Sequence, residues 1–218
     1  MLSQAQSTFI HFTAPTTIKD PDVRGLLAHT QPGVVQFYPE NATIYAQGDA
    51  VEHLYLVEYG TVRICQMTPD GRRQITSFCF AGDVFGLEPG GERQFYAESV
   101  DGTGVRVLRP SNEAGFTTKF LSLAMRRFAH MQAHLVVLGR MGATEKMCHF
   151  LLDLLERQDS DDVIHLPMQR NDVADYLGLT FETVSRTLRV LKDRSLIRVP
   201  SADRVEVLDV GALASMRD

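Results

Sequence analysis

The sequence predicts an α+β chain in which a β-sandwich or barrel-like roll comes first, a long amphipathic helix second, and a helical segment closed by a hairpin last. Three observations predict it. Short β-rich runs recur at roughly ten-residue spacing from Val34 to Leu108. After Pro110 the apolar residues switch to helical spacing, and near the C-terminus a glycine-stopped helix meets a threonine-capped one. The 218 residues, 44% of them hydrophobic and with 16 Gly and 9 Pro, suffice for one or two domains with a real core and resemble neither a disordered nor a collagenous composition.

The β-type runs are Val34–Tyr38, Thr43–Ala46, Leu54–Glu58, Thr61–Met67, Arg73–Phe80, Phe95–Ser99 and Gly104–Leu108. Tyr59-Gly60 separates two of them. Pro69-Asp70-Gly71 supplies a preset φ, an Asx acceptor and a positive-φ residue for a hairpin turn. The residues before Val34 give weak signals, with one short helix expected near Asp22–His29. The opening MLSQAQSTFIHFTAPTT has no basic start and no apolar stretch of secretory length, so no signal peptide is expected. No run approaches the ~18 apolar residues of a membrane span. Cys65, Cys79 and Cys148 are odd in number and widely spaced, which fits neither a disulfide framework nor a CxxC metal site. The expected location is a reducing cytoplasm.

A helix is expected over residues 114–142. Leu121, Ala124, Phe128, Met131, Leu135, Leu138 and Gly142 recur at alternating three- and four-residue spacing, a heptad seam that buries a narrow stripe against a second helix. A broader stripe would pack on the chain's own β-region; the strict period of 3.5 favours a homodimer. His130 and His134 have the i, i+4 spacing of a metal pair, but no third ligand is evident, and their heptad positions point to the surface; no metal is expected. A second helix over residues 143–158 carries Met147, Phe150, Leu151, Leu154 and Leu155 on one face and ends at Asp159-Ser160-Asp161-Asp162. Val163–Leu166 follows as a short strand.

Residues 170–191 form a helix-turn-helix pattern. Val173, Ala174 and Leu177 make the apolar face of the first helix, Gly178 its left-handed stop, and Thr180 the N-cap of the second. That second helix buries Val184, Leu188 and Leu191. Its other face presents Glu182, Ser185, Arg186 and Arg189, which have the reach and hydrogen-bonding groups to read major-groove edges. Ile197–Val199 and Arg204–Leu208, joined by Pro200-Ser201-Ala202-Asp203, make a wing. The net charge of −5 excludes a protein that holds DNA or anionic lipid by bulk charge. All of that excess lies in residues 1–167, whereas residues 181–198 carry five basic side chains against two acidic ones.

The LGLTFETVSRTLRVLKDRSLI stretch resembles the recognition motif of the CRP/FNR superfamily of transcription regulators. Gly48-Asp49, LYLVEYGTVRI, TPDGRRQI and Gly82-Asp83-Val84-Phe85-Gly86 stand in that superfamily's order. The ETVSR core is similar to the FNR/FixK branch rather than the cyclic-AMP branch. The resemblance implies a cyclic-nucleotide-binding-like β-roll (jelly roll) over residues 1–113, a dimerisation helix over 114–142 and a Crp-type winged helix-turn-helix over 143–218. It also implies double-stranded DNA as partner, through an inverted repeat of TTGA-type half-sites. Arg186 would donate to guanine, Glu182 would accept from the cytosine amino group and Ser185 would contact a neighbouring base. Arg170, Thr180, Thr183 and Arg189 would hold phosphates. On this resemblance the protein activates low-oxygen or respiratory genes by recruiting RNA polymerase, without a cofactor.

Gating of the same scaffold is the alternative. Glu88 and Arg93 lie where relatives hold a cyclic nucleotide, but Gln94 and Phe95 replace the small residues of that cradle, which leaves Arg93 as a solvated loop arginine. Haem has little sequence signature. A redox switch would use Cys65, Cys79 or Cys148, whose plainer role is as buried small hydrophobes. In a different class, a cupin-type enzyme would need clustered histidines, and no HxH occurs. GxGxxG, P-loop, HExxH and GxSxG are absent too, so no enzymatic activity is expected.

Overall fold

In the computed structural model, residue 18 and residues 20–30, 33–109 and 114–216 are described. The reading of residues 1–17 as free of a secretory signal lies outside them. The described residues divide into two compact units, one formed by those up to Ile64 and those within Phe78–Leu123, the other by Cys65–Ser77 with those from Ala124 onward.

The β-region begins with helix α1 (Pro21–Ala28), whose N-cap Asp20 accepts from the backbone N–H groups of Asp22 and Val23. Eight strands follow: β1 (Val35–Tyr38), β2 (Thr43–Tyr45), β3 (Leu54–Tyr59), β4 (Thr61–Met67), β5 (Arg73–Phe80), β6 (Val84–Phe85), β7 (Tyr96–Ser99) and β8 (Thr103–Leu108). They form two four-stranded sheets, ordered β1-β8-β3-β6 and β2-β7-β4-β5. All seven expected runs are strands to within two residues at either end; β6, only two residues long, lacks the alternation that reveals a strand.

Alternation along β3 explains the core. Leu54 and Leu56 point to one face, where they meet Val23 and Leu26 of α1 with Phe116 and Leu123. Val57 points to the other, where side chains of both sheets meet: Tyr45, Val62, Cys79, Phe85, Ala97 and Val105. The β4–β5 turn closes as expected, with Gly71 at φ 79° and its N–H donating to the Thr68 carbonyl at 2.8 Å.

Helix α2 spans Ala114–Arg140 and α3 spans Ala143–Arg157. Gly142, the last position of the expected seam, therefore lies beyond the end of α2. Its N–H donates to Glu145 at 2.6 Å at the start of α3. The rest of the seam is on the helix: Leu121, Phe128, Met131 and Leu135 are exposed, Ala124 and Leu138 half-buried. Met125 and Val136 widen the exposed apolar stripe beyond a strict heptad. Phe116, Leu123 and Val137 are buried on the opposite face.

The expected surface placement of His130 and His134 is corrected, because both lie on that inward face and are half-buried. The His134 ring stacks on Tyr176 with centroids 4.1 Å apart, and its Nε2 is buried with no hydrogen-bond partner. Burial pushes the His134 pKa down, as do His130 and His149; the Tyr176 backbone and Asp153 oppose the shift. The unfolded chain protonates this imidazole near ~6.5 while the fold resists it. The associated stability is therefore full above that pH and is lost as pH falls through the lower folded value. Thermal unfolding followed from neutral pH downward is expected to show this loss, and His134→Phe, which keeps the stacking, is expected to lessen it.

Candidate nucleic-acid interface

The C-terminal elements are β9 (Val163–His165), α4 (Arg170–Leu177), α5 (Phe181–Asp193), β10 (Ile197–Ser201), β11 (Arg204–Val207) and α6 (Val210–Ser215). Helix α4 ends at Gly178 with φ 62° and ψ 41°, a left-handed conformation that a side chain would strain. The buried Lys146 of α3 donates to the Leu177 carbonyl at 3.2 Å, placing a cation at the negative end of α4. Thr180 caps α5 by accepting from the Thr183 N–H. With α4 stopped and α5 capped two residues later, the turn between them is short and set by local chemistry.

Helix α5 is sharply two-sided. Val184, Leu188 and Leu191 are buried with Thr187, whose hydroxyl donates to the Thr183 carbonyl at 2.8 Å. Glu182, Arg186 and Arg189 are exposed, and Ser185 and Thr183 half-buried. Ser185 accepts from Arg170 at 3.4 Å, and Arg186 donates to the Thr183 hydroxyl at 3.3 Å. The structure thus brings together on one face of α5 the three residues expected to read bases, with Arg170, Thr180, Thr183 and Arg189 around them. Hydrogen bonds from its own backbone N–H and from Thr180 hold the Glu182 carboxyl below the usual carboxylate range, so it presents an acceptor at neutral pH.

The wing is a three-stranded sheet ordered β10-β11-β9, with Arg198 opposite Glu206 and paired to it at 2.8 Å. Pro200 and Ser201 extend β10 rather than forming part of the expected turn. Phe181 escaped the sequence reading. It is the first residue of α5 and 46% exposed beside Glu182, although it continues the 184, 188, 191 spacing of the buried side, so periodicity alone places it inward and no local signal marks it as exposed.

Residues 35–109 match the cyclic nucleotide-binding domain family and residues 145–216 the Crp-like helix-turn-helix domain family. The chain is 42% identical over 185 residues to the nitrogen fixation regulation protein FixK of Rhizobium meliloti strain 1021, covering 85% of this chain and 88% of that protein. The chain belongs to the CRP/FNR family. It is also 36% identical over 186 residues to the transcriptional activatory protein AadR of Rhodopseudomonas palustris, covering 80% of this chain and 77% of AadR. The solved structure of FixK2 from Bradyrhizobium japonicum superposes with a TM-score of 0.82 at 32% identity, over 86% of this chain and 98% of that one. As in other CRP/FNR members, a β-rich cyclic-nucleotide-binding-like domain precedes a long helix and a DNA-binding helix-turn-helix.

Within this CRP/FNR fold, Arg93 is not the solvated loop residue expected of it, being only 1% exposed. Its guanidinium donates to the carbonyls of Gly86 at 2.8 Å and His53 at 2.6 Å, lies 3.5 Å from Glu88, and stacks 4.2 Å above the Tyr45 ring. Gly86, at φ 84°, permits this approach; a Cβ there would sit 3.1 Å from the guanidinium. Glu88 in turn accepts from the Gln94 and Phe95 N–H groups. The sequence hid this because the partners lie up to 48 positions away along the chain. Cys65, Cys79 and Cys148 are all buried, and burial pushes the Cys148 thiol up to about 11, far from the thiolate that oxidation needs. Among the described residues no helix is long and apolar enough to cross a membrane, and no group of three or more His, Cys, Asp or Glu side chains is placed to hold a metal ion.

Proposed function

We propose that this CRP/FNR-family regulator acts in the cytoplasm as a homodimer that needs no small-molecule effector, binds an inverted repeat of TTGA-type half-sites, and activates low-oxygen or respiratory genes by recruiting RNA polymerase. The observation that carries the DNA reading is the two-sided α5, whose exposed Glu182 and Arg186 share a face with the half-buried Ser185 while its apolar side is buried. Arg186 would donate to guanine and Glu182 accept from cytosine, each good pair being worth ~1–3 kcal/mol of discrimination. Phe181 adds an apolar surface suited to a thymine methyl group. Arg170, Thr180, Thr183 and Arg189 would hold the backbone and set the register.

The exposed stripe on α2 supports the dimer, and the similarity to FixK, a nitrogen fixation regulation protein, and to AadR, a transcriptional activatory protein, supports the role of activator. Effector independence is supported by Arg93, whose charge is already matched by Glu88 and the chain's own carbonyls, so a phosphate would have to displace them.

The test is binding of purified protein to an inverted TTGA repeat at fixed salt, without ligand, in reduced and oxidised samples. Tight binding by the reduced, ligand-free protein is expected. Binding only after a cyclic nucleotide or haem is added, or only after oxidation, would overturn effector independence. Failure under every condition would overturn the half-site.

A further inference from the structure

One compact unit holds the tip of the β4–β5 hairpin (Cys65–Ser77), α2 from Ala124 onward, and the helix-turn-helix. Within it, Arg73 of β5 reaches two carboxylates one turn apart on α4. Its Nη2 contacts Asp172 and lies 2.7 Å from Asp175, and its Nε donates to Asp175 at 2.8 Å. The neighbouring Gln74 donates to the Asp175 backbone carbonyl at 2.6 Å. Four positions after Arg73, Ser77 accepts from Arg127 of α2 at 3.2 Å. The hairpin tip is therefore tied to α2 on one side and to α4 on the other.

This is more than a surface ion pair. The Asp172 side chain is 5% exposed and the Arg73 side chain 25%. Burial works against the Arg73 charge, and hydrogen bonds and attraction from Asp175 and Asp172 more than offset it, leaving its pKa raised. The planar guanidinium presents donors to both carboxylates at once, which a lysine ammonium cannot do with the same geometry. Neither aspartate belongs to the exposed face of α5, so the clamp leaves the candidate DNA-reading surface free.

A chain that binds DNA without an effector must set the pose of its reading helix from within. In a dimer built on α2, the two copies of α5 must sit about one helical turn of DNA apart, ~34–36 Å, to meet both half-sites together. Helices α4 and α5 are joined by the short Gly178–Thr180 turn, so the angle of α4 against α2 bears directly on that fit. We infer that Arg73 is a positioning residue for DNA recognition, its clamp on Asp172 and Asp175 holding the helix-turn-helix against α2 at the angle that lets both recognition helices of a dimer engage one inverted repeat.

The inference rests on the dimeric reading proposed above. The full chain is compared with Arg73→Ala, Arg73→Lys and the milder Asp175→Asn at fixed salt, on the inverted TTGA repeat, on repeats with one base pair added or removed between half-sites, and on a single half-site. Dimer content and thermal unfolding are followed in parallel. Arg73→Ala and Asp175→Asn should lose about tenfold or more on the correctly spaced repeat, because the second half-site is engaged intramolecularly, while single half-site affinity stays within about twofold. Discrimination between spacings should shrink, the dimer should persist, and Arg73→Lys should fall in between.

Unchanged or tighter binding of the repeat by the folded variants would overturn the inference. So would equal losses on repeat and half-site, which would mark a merely structural role. If Arg73→Ala does not fold, Asp175→Asn decides. A wild-type chain that is monomeric, or that binds repeat and half-site alike, would overturn the dimeric reading itself and this inference with it.

Discussion

Aspartate at both Phe128 and Leu135 of α2 is expected to leave a folded monomer that still binds single half-sites but loses roughly a hundredfold or more of its affinity for the inverted repeat, the loss of avidity that unlinking two sites brings. Phe128 is 48% exposed and Leu135 60%, so neither substitution removes the packing that holds the chain's own fold. They lie in a stripe with Leu121, Met125, Met131 and Val136 that would be covered by the same stripe of a second copy. Fully burying an apolar side chain of this size stabilises by about 1.5–3 kcal/mol, whereas an unpaired carboxylate in the same place costs more than that gain. Two aspartates per copy put four negative charges into one seam. Sedimentation at micromolar concentration checks the assembly, and titration against repeat and half-site checks the consequence. A variant that remains dimeric would show that this stripe is not the dimer seam.

Arg186→Ala is expected to cut discrimination between the TTGA-type site and random DNA by about 1–3 kcal/mol per half-site, while nonspecific affinity and thermal stability change little. Arg186 is exposed and its hydrogen bond within the chain is to the Thr183 hydroxyl, so the fold loses little with it. Glu182→Ala should relax preference at the position it reads. Arg189→Ala provides the contrast: if Arg189 pairs with phosphate as proposed, its removal should weaken binding uniformly across sequences and lower the dependence of log affinity on log salt by about one. Competition between specific and random duplexes over a salt series separates the two patterns. Uniform weakening by Arg186→Ala would remove it from the base-reading set.

What the sequence disclosed and what it hid divide by distance along the chain. Gly178 and Thr180 set the α4–α5 turn through their own φ and hydroxyl, and Val184, Leu188 and Leu191 mark the buried side of α5; all three signals are local and all three are met. Arg93 and Arg73 look alike in sequence, each an arginine flanking a β-run. Their burial depends on partners 40 residues away at His53 and 99 away at Asp172, which no local pattern encodes. His134 misled for a related reason. Heptad lettering assigns a helix one buried side, whereas α2 has an exposed apolar stripe and a second, inward face that stacks His134 on Tyr176. The helix α6 was missed because six residues are too few for a periodic signal.

The uncovered stripe on α2 also bears on how such a regulator responds to its own supply. Where dimers form from a monomer pool in excess, their number rises with the square of total protein. A twofold rise in synthesis then produces roughly a fourfold rise in the DNA-competent species, steeper than any chain that reads its site alone. If the chain acts without a ligand and pairs through this stripe, as proposed, protein concentration becomes the input variable, and the seam is the element that steepens the response to it.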